Sequence, residues 1–190
     1  MTAACPPAAT LPFELTICGV MEFDRLDRRS ITHAVSIWHP TDSTDEWIDL
    51  VRCGLPHSVV HPVVFDDVEA QHDGFQPATP EQIRGVLEFA SAVRAGDHLL
   101  VHCMAGISRS TACAMAILTS HLGPGSEQHA AERIRQLRRQ ARPNRWVVRL
   151  ADQLLNRHGA LVLACSRVFA EPLGEGLVNK GWDEARDATE

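Results

Sequence analysis

The chain has 190 residues, 45% of them hydrophobic and 22% charged, with a formal charge of −6, a length that suits one domain with a real core. The acidic balance argues against non-specific nucleic-acid binding, which needs a net basic footprint, and no apolar run approaches the twenty or so residues of a membrane-spanning helix. Six cysteines, at 5, 18, 53, 103, 113 and 165, show no paired spacing, and the first residues lack the basic segment of a secretory signal, so the expectation is a cytoplasmic protein with reduced thiols.

In chain order, residues 1–12 are rich in Ala, Pro and Thr and read as a flexible lead-in. Strands are expected over 13–20, 32–38 and 58–65, the last interrupted by Pro62, which suits an edge or a bend. A loop over 66–78 contains the turn signal Asp73-Gly74. Thr79-Pro80-Glu81-Gln82 then marks a helix start, with Thr as N-cap, Pro at the first position and Gln three residues after the cap. Its apolar face is Ile83, Val86, Leu87, Ala90 and Val93, and Ala95-Gly96-Asp97 ends it. A short buried strand, 98–101 running to His102, precedes a glycine-containing loop and a helix over 109–121 that is apolar nearly all round. Ser126 and Pro143-Asn144 start two further helices. Residues 161–168 read as either a short strand or a helix. The division implied is a domain over 13–160 followed by an extension over 161–190, partly mobile. This order of elements predicts an α/β domain with a central, mostly parallel sheet flanked by helices.

The chemistry concentrates in His102-Cys103-Met104-Ala105-Gly106-Ile107-Ser108-Arg109-Ser110. A cysteine and an arginine five residues apart, with glycine between, can wrap a loop whose backbone N–H groups point inward. Such a nest at a helix N-terminus holds an oxyanion without any charged side chain. Arg109 can add a planar fork matched to two phosphate oxygens, and the same positive field favours thiolate over thiol at Cys103. A structural cysteine at a strand end would leave Arg109 beside an apolar helix without a reason.

The loop resembles the His-Cys-x5-Arg-Ser/Thr signature of the cysteine-dependent protein tyrosine phosphatases, matching every fixed position in a strand–loop–helix context. The likeness spans residues 13–158. Arg142-Pro143-Asn144 resembles the segment that follows the signature in compact dual-specificity-like phosphatases, and the chain as a whole resembles small bacterial proteins predicted to be tyrosine phosphatases. The resemblance implies that Cys103 attacks phosphorus, that the N–H groups of Met104, Ala105, Gly106, Ile107, Ser108 and Arg109 bind the equatorial oxygens, that Ser110 assists the sulfur as leaving group, and that His102 holds the loop by hydrogen bonding. It implies no cofactor and no metal.

A general acid must protonate the leaving oxygen. Asp42, in Trp38-His39-Pro40-Thr41-Asp42, lies 61 residues before Cys103. That is farther than the roughly thirty to forty residues that the resemblance implies. Asp66 and Asp67 close the third strand, 37 and 36 residues upstream, and Asp73 lies 30 upstream in its turn. The Val63-Val64-Phe65-Asp66-Asp67-Val68 pattern favours Asp67 by resemblance, with Asp66 and Asp73 as alternatives.

The favoured function is hydrolysis of protein phosphomonoesters, phosphotyrosine first and phosphoserine or phosphothreonine as well. The alternatives are a non-catalytic phosphate-binding module, a sulfur transferase, or a phosphatase for phosphoinositides or other phosphomonoesters. The last is weakened by the absence of Lys or Arg inside the loop. Arg133, Arg135, Arg138, Arg139, Arg142, Arg145 and Arg149 form either a solvated helical face or a docking surface for an acidic or phosphorylated partner. Cys18 or Cys53 could serve as a resolving thiol for Cys103, whereas Cys113 reads as packing. His57 and His61 flank a proline-bounded extended segment, so they do not share a helical face, and no HExxH is present.

Overall fold

The structure, a computed structural model, describes residues 11–41, 51, 54–71 and 73–170. Four strands, β1 (Glu14–Gly19), β2 (His33–Trp38), β3 (Val59–Val64) and β4 (His98–Cys103), form one fully parallel sheet in the order β1-β4-β2-β3. Parallel strands need both faces covered. Accordingly all six residues of β4 are buried. Pro62 falls on the edge strand β3, where its missing N–H costs no ladder bond on the open side.

One face of the sheet carries five helices: α1 (Pro80–Ser91), α2 (Arg109–Leu122), α3 (Glu127–Leu137), α4 (Arg145–Leu154) and α5 (Ala160–Phe169). Helix α2 is buried from Arg109 through Thr119, which makes it the pillar around which the others pack. The opposite face is covered by a smaller cluster containing Cys18, Val20, Ile31, Trp38, Val51, Leu55 and Leu100. A 3-10 helix, Val20–Arg25, leaves the end of β1 and lies beside the mouth of the sheet.

The expected capping box of α1 is present. Gln82 N donates to Thr79 Oγ1 at 3.3 Å and Thr79 N to Gln82 Oε1 at 2.9 Å, while Gln82 Nε2 donates to Val64 O at 2.6 Å. The cap therefore ties α1 to the end of β3 as well as starting the helix. Asn144 caps α4 by accepting from Val147 N at 3.0 Å. Ser126 stands at the start of α3, but its hydroxyl donates back to Gly123 O at 2.6 Å, closing the glycine turn instead of capping.

The packed part of the domain runs past the expected boundary at 160. Helix α5 buries Leu161, Ala164 and Cys165 against the core. Its start is fixed by Asp152 of α4, whose buried carboxylate accepts from Gly159 N at 2.7 Å, Leu161 N at 2.9 Å and Val162 N at 3.4 Å. Three orphan N–H groups of a helix start thus find one anion. Residues 1–10 of the expected lead-in (1–12) and 171–190 of the expected extension (161–190) lie outside the described residues. Among the described residues no helix is long and apolar enough to cross a membrane.

Candidate active site

Strand β4 ends at Cys103 and α2 begins at Arg109, so the signature loop leaves the carboxyl end of a central strand and enters a buried helix. Its carbonyls are held outward one after another. Met104 O accepts from Val20 N at 3.1 Å. Ala105 O and Gly106 O accept from Arg138, at 3.2 Å from Nη2 and 2.9 Å from Nε. Ile107 O accepts from Arg142 N at 2.9 Å and Thr111 Oγ1 at 2.6 Å, and Ser108 O from Ala112 N at 3.0 Å. Because a trans peptide places N–H opposite C=O, the N–H groups of Ala105, Gly106, Ile107, Ser108 and Arg109 face the inside of the loop. Gly106 N reaches Cys103 Sγ at 3.3 Å.

Gly106 has φ of +69°, and a Cβ there would lie 2.4 Å from Cys18 C and Gly19 N. Only glycine fits both the conformation and the space. Gly19 is its counterpart on β1, where a Cβ would meet Met104 O at 2.8 Å. The back of the loop therefore rests directly on the backbone of β1.

The side chains complete the nest. Ser110 Oγ lies 3.2 Å from Cys103 Sγ, with both groups buried. Arg109 is buried, and its Nη1 donates to Phe65 O at 2.9 Å, which fixes the guanidinium beneath the loop that follows β3. Its Nε has no acceptor among the described residues. His102 is fully buried, with Ser36 Oγ 2.7 Å from its Nε2 and the rings of Phe23 and Trp38 edge-on to it. Trp38 Nε1 donates to the same Ser36 oxygen at 2.6 Å. Ser36 Oγ thus ties the indole of Trp38 to the imidazole of His102 in the core. Burial pushes His102 down to about 4. A buried ring held neutral and hydrogen-bonded within the core suits a structural strut.

The two neighbouring aspartates part company. Asp66 is 3% exposed and turned into the loop that follows β3; Gln76 N donates to its Oδ2 at 2.6 Å and His39 Nε2 lies 2.5 Å from its Oδ1. Asp67 is exposed and faces the signature loop, where Ser108 Oγ and Asn144 Nδ2 both donate to its Oδ1, at 2.6 and 2.8 Å. Asn144 Nδ2 also reaches Val68 O at 3.2 Å, so one amide clamps the aspartate segment over the loop. Asp73 sits on an exposed turn with no bond to the loop among the described residues, and Asp42 lies outside them.

Cys18 does not face Cys103. It is paired in register with His102 and shares that residue's side of the sheet, whereas Cys103 belongs to the core on the other side. Burial pushes the Cys18 and Cys113 thiols up to about 12, as suits packed, unreactive sulfur. Cys53 lies outside the described residues.

The sequence profile of the protein-tyrosine phosphatase family matches residues 72–161, the span that carries the signature loop, α2 and Asn144. Residues 72–161 belong to the protein-tyrosine phosphatase family. Solved phosphatases share the fold of the domain. Tk-PTP in its active form aligns with a TM-score of 0.55 at 22% identity, covering 80% of this chain and 99% of that one. Human DUSP28 aligns at 0.55 and 21%, covering 77% and 94%. The human tyrosine phosphatase-like serine/threonine/tyrosine-interacting protein aligns at 0.53 and 18%, covering 78% and 94%. No curated protein matches the chain. The family is a group of phosphoric monoester hydrolases, and the α/β fold expected from the sequence is the one observed.

Sequence reasoning missed the part played by four residues around this site. Gly19 carried no signal beyond ending a strand. Glu22 and Arg138 lie 116 residues apart and meet behind the loop at 2.7 Å. Asn144 was legible only as a helix start, although Arg142-Pro143-Asn144 carried a family likeness that pointed to the segment.

Proposed function

We propose that this domain hydrolyses protein phosphomonoesters, phosphotyrosine foremost and phosphoserine and phosphothreonine as well, through a cysteinyl-phosphate. The observation that carries this reading is the ring of inward N–H groups from Ala105 to Arg109 around Cys103 Sγ, with the buried Arg109 Nε beside it. Three equatorial oxygens of a phosphoryl group satisfy these donors, and the charge they carry in the transition state is met by groups already in place. Cys103 attacks phosphorus as thiolate while Asp67 gives its proton to the departing oxygen. In the second step Asp67 takes a proton from water, whose oxygen attacks phosphorus, and the Ser110 hydroxyl supports the sulfur as it leaves.

Substrate preference follows from the flank of the site. Arg142 and Arg145 line a recess of about 240 Å³ together with Glu69, Pro143, Cys165, Ser166 and Phe169. Neither guanidinium has an ion-pair partner among the described residues, and Arg142 N is bonded to the signature loop itself. This flank suits an acidic side chain of a phosphorylated peptide. A nucleophilic thiol requires a reducing compartment, and the described cysteines are free, which supports a cytoplasmic setting.

The deciding experiment is hydrolysis of an aryl phosphate in EDTA under reducing conditions, comparing the wild type with Cys103→Ser. Turnover that survives chelation and disappears in the variant is the expected result. Absence of turnover in the wild type from mildly acidic to neutral pH would overturn the catalytic reading in favour of a phosphate-binding module.

A further inference from the structure

Two consecutive carbonyls of the signature loop, Ala105 O and Gly106 O, owe their outward orientation to one side chain from a distant helix end. Arg138 follows α3, where its backbone N donates to Ile134 O at 2.8 Å. Its guanidinium then reaches the loop through Nε and Nη2 and ends on Glu22 at 2.7 Å. Glu22 Oε2 also accepts from Gly19 N at 2.7 Å, at the point where β1 supports the back of the loop. Burial alone would raise the Glu22 carboxyl, but the bonds from Arg138 and Gly19 N outweigh it and hold it below its ordinary value.

The arrangement answers a weakness that the loop cannot avoid. Gly106 is required by the contact with β1, yet a peptide beside glycine rotates with little steric resistance. A flip of the Ala105–Gly106 or Gly106–Ile107 peptide would turn an N–H outward and a carbonyl inward, replacing a donor to the anion by an oxygen that repels it. Arg138 holds both units at once from outside, where it touches neither Cys103 nor the space an anion would take.

We propose that Arg138, anchored by Glu22, is a positioning residue of the phosphatase reaction, latching two loop peptides with their N–H groups inward. The proposal rests on the phosphatase reading above for its kinetic consequences and on geometry for its anion-binding ones.

The test compares Arg138→Ala, Arg138→Lys, Glu22→Gln and the Arg138→Ala/Glu22→Gln pair by aryl phosphate kinetics, by orthovanadate binding in calorimetry and by thermal melting. Arg138→Ala is expected to lower kcat/KM by about tenfold to a hundredfold and to weaken orthovanadate binding by about tenfold or more. Arg138→Lys recovers part of both, since an ammonium reaches one carbonyl but lacks the fork. Glu22→Gln has a smaller effect, and the double variant is no worse than Arg138→Ala alone, because Glu22 acts through the arginine. Unchanged orthovanadate affinity and kcat/KM in Arg138→Ala, with only the melting temperature lowered, would overturn the latch. If Arg138→Ala does not fold, Arg138→Lys and Glu22→Gln decide by the same two readouts. If the wild type shows no turnover, the phosphatase reading fails while orthovanadate binding still decides the latch.

Discussion

Asp66 and Asp67 are identical in type and adjacent in sequence, and everything that separates them is where the carboxylates point. Asp66 is consumed by the backbone of its own loop and by His39, so its bonds hold a shape. Asp67 is presented to the signature loop on one oxygen, by Ser108 and Asn144, and remains open to solvent. The two substitutions therefore differ in kind. Asp67→Asn is expected to lower kcat by about 10²- to 10³-fold, more steeply for alkyl phosphates than for p-nitrophenyl phosphate, whose leaving group departs without a proton. Asp66→Asn is expected to cost stability, about 1–3 kcal/mol for a buried charged acceptor replaced by an amide that cannot satisfy both neighbours. Kinetics against a series of leaving groups, with denaturant melts alongside, separates them; equal loss of kcat in both variants would reassign the acid. Ser108→Ala and Asn144→Ala should reproduce a milder form of the Asp67 defect, since both orient that carboxylate.

Elements whose cause is local were readable in advance. The four strands carry runs of branched apolar residues bounded by turns, α1 carries its own capping box, and the signature loop is fixed by five positions within nine residues. Elements whose cause is distant were not. Residues 161–168 read as strand or helix because Ala160–Phe169 has no capping side chain of its own: its N-cap is Gly159, with φ of +88°. The cap comes instead from Asp152, on the preceding helix, at a position that reads as one polar residue of an amphipathic pattern. Arg138 was hidden in the same way, within a run of arginines that has a solvated face as its ordinary explanation. Asp152→Ala is expected to destabilise the domain by about 2–3 kcal/mol, the loss of a buried charge-assisted cap. For a domain of this size that is a fall in melting temperature of very roughly 4–12 °C. Hydrogen exchange should show Leu161 and Val162 as the first protected amides to be lost. Retained protection there would mean that α5 is held by packing of Leu161, Ala164 and Cys165 alone.

At the scale of the whole molecule, a chain of formal charge −6 approaches phosphorylated, acidic substrates against its own net field. On the proposed reading, a peptide substrate draws on a local reversal of sign beside the signature loop. Of the seven arginines between 133 and 149, Arg138 is committed to the loop and to Glu22, and Arg135 to Val168 O at 2.7 Å and the face of Phe169. Arg149 lies over Trp146 with Nη2 3.4 Å from Glu69 O. Arg142 and Arg145 are both exposed and line one recess, with Glu69 as its only acidic lining residue among the described residues. A phosphopeptide carrying an acidic residue within reach gains attraction there that a small aryl phosphate does not. Screening at ionic strength near 0.15 M limits that attraction to about a Debye length, ~8 Å, so it acts on residues next to the phosphorylated one. The Arg142→Glu/Arg145→Glu double variant is expected to raise KM for an acidic phosphotyrosine peptide by about tenfold, as surface charges of this kind contribute on the order of 1 kcal/mol together with the repulsion introduced. Its kcat on p-nitrophenyl phosphate should stay within about twofold, because the substitutions leave Cys103, Arg109 and Asp67 untouched. The wild-type KM for the same peptide should rise with added salt, and that dependence should weaken in the variant. A peptide KM indifferent both to the charge reversal and to salt would mean that the recess is a solvated surface, and that this phosphatase selects its substrates by the phosphoryl group alone.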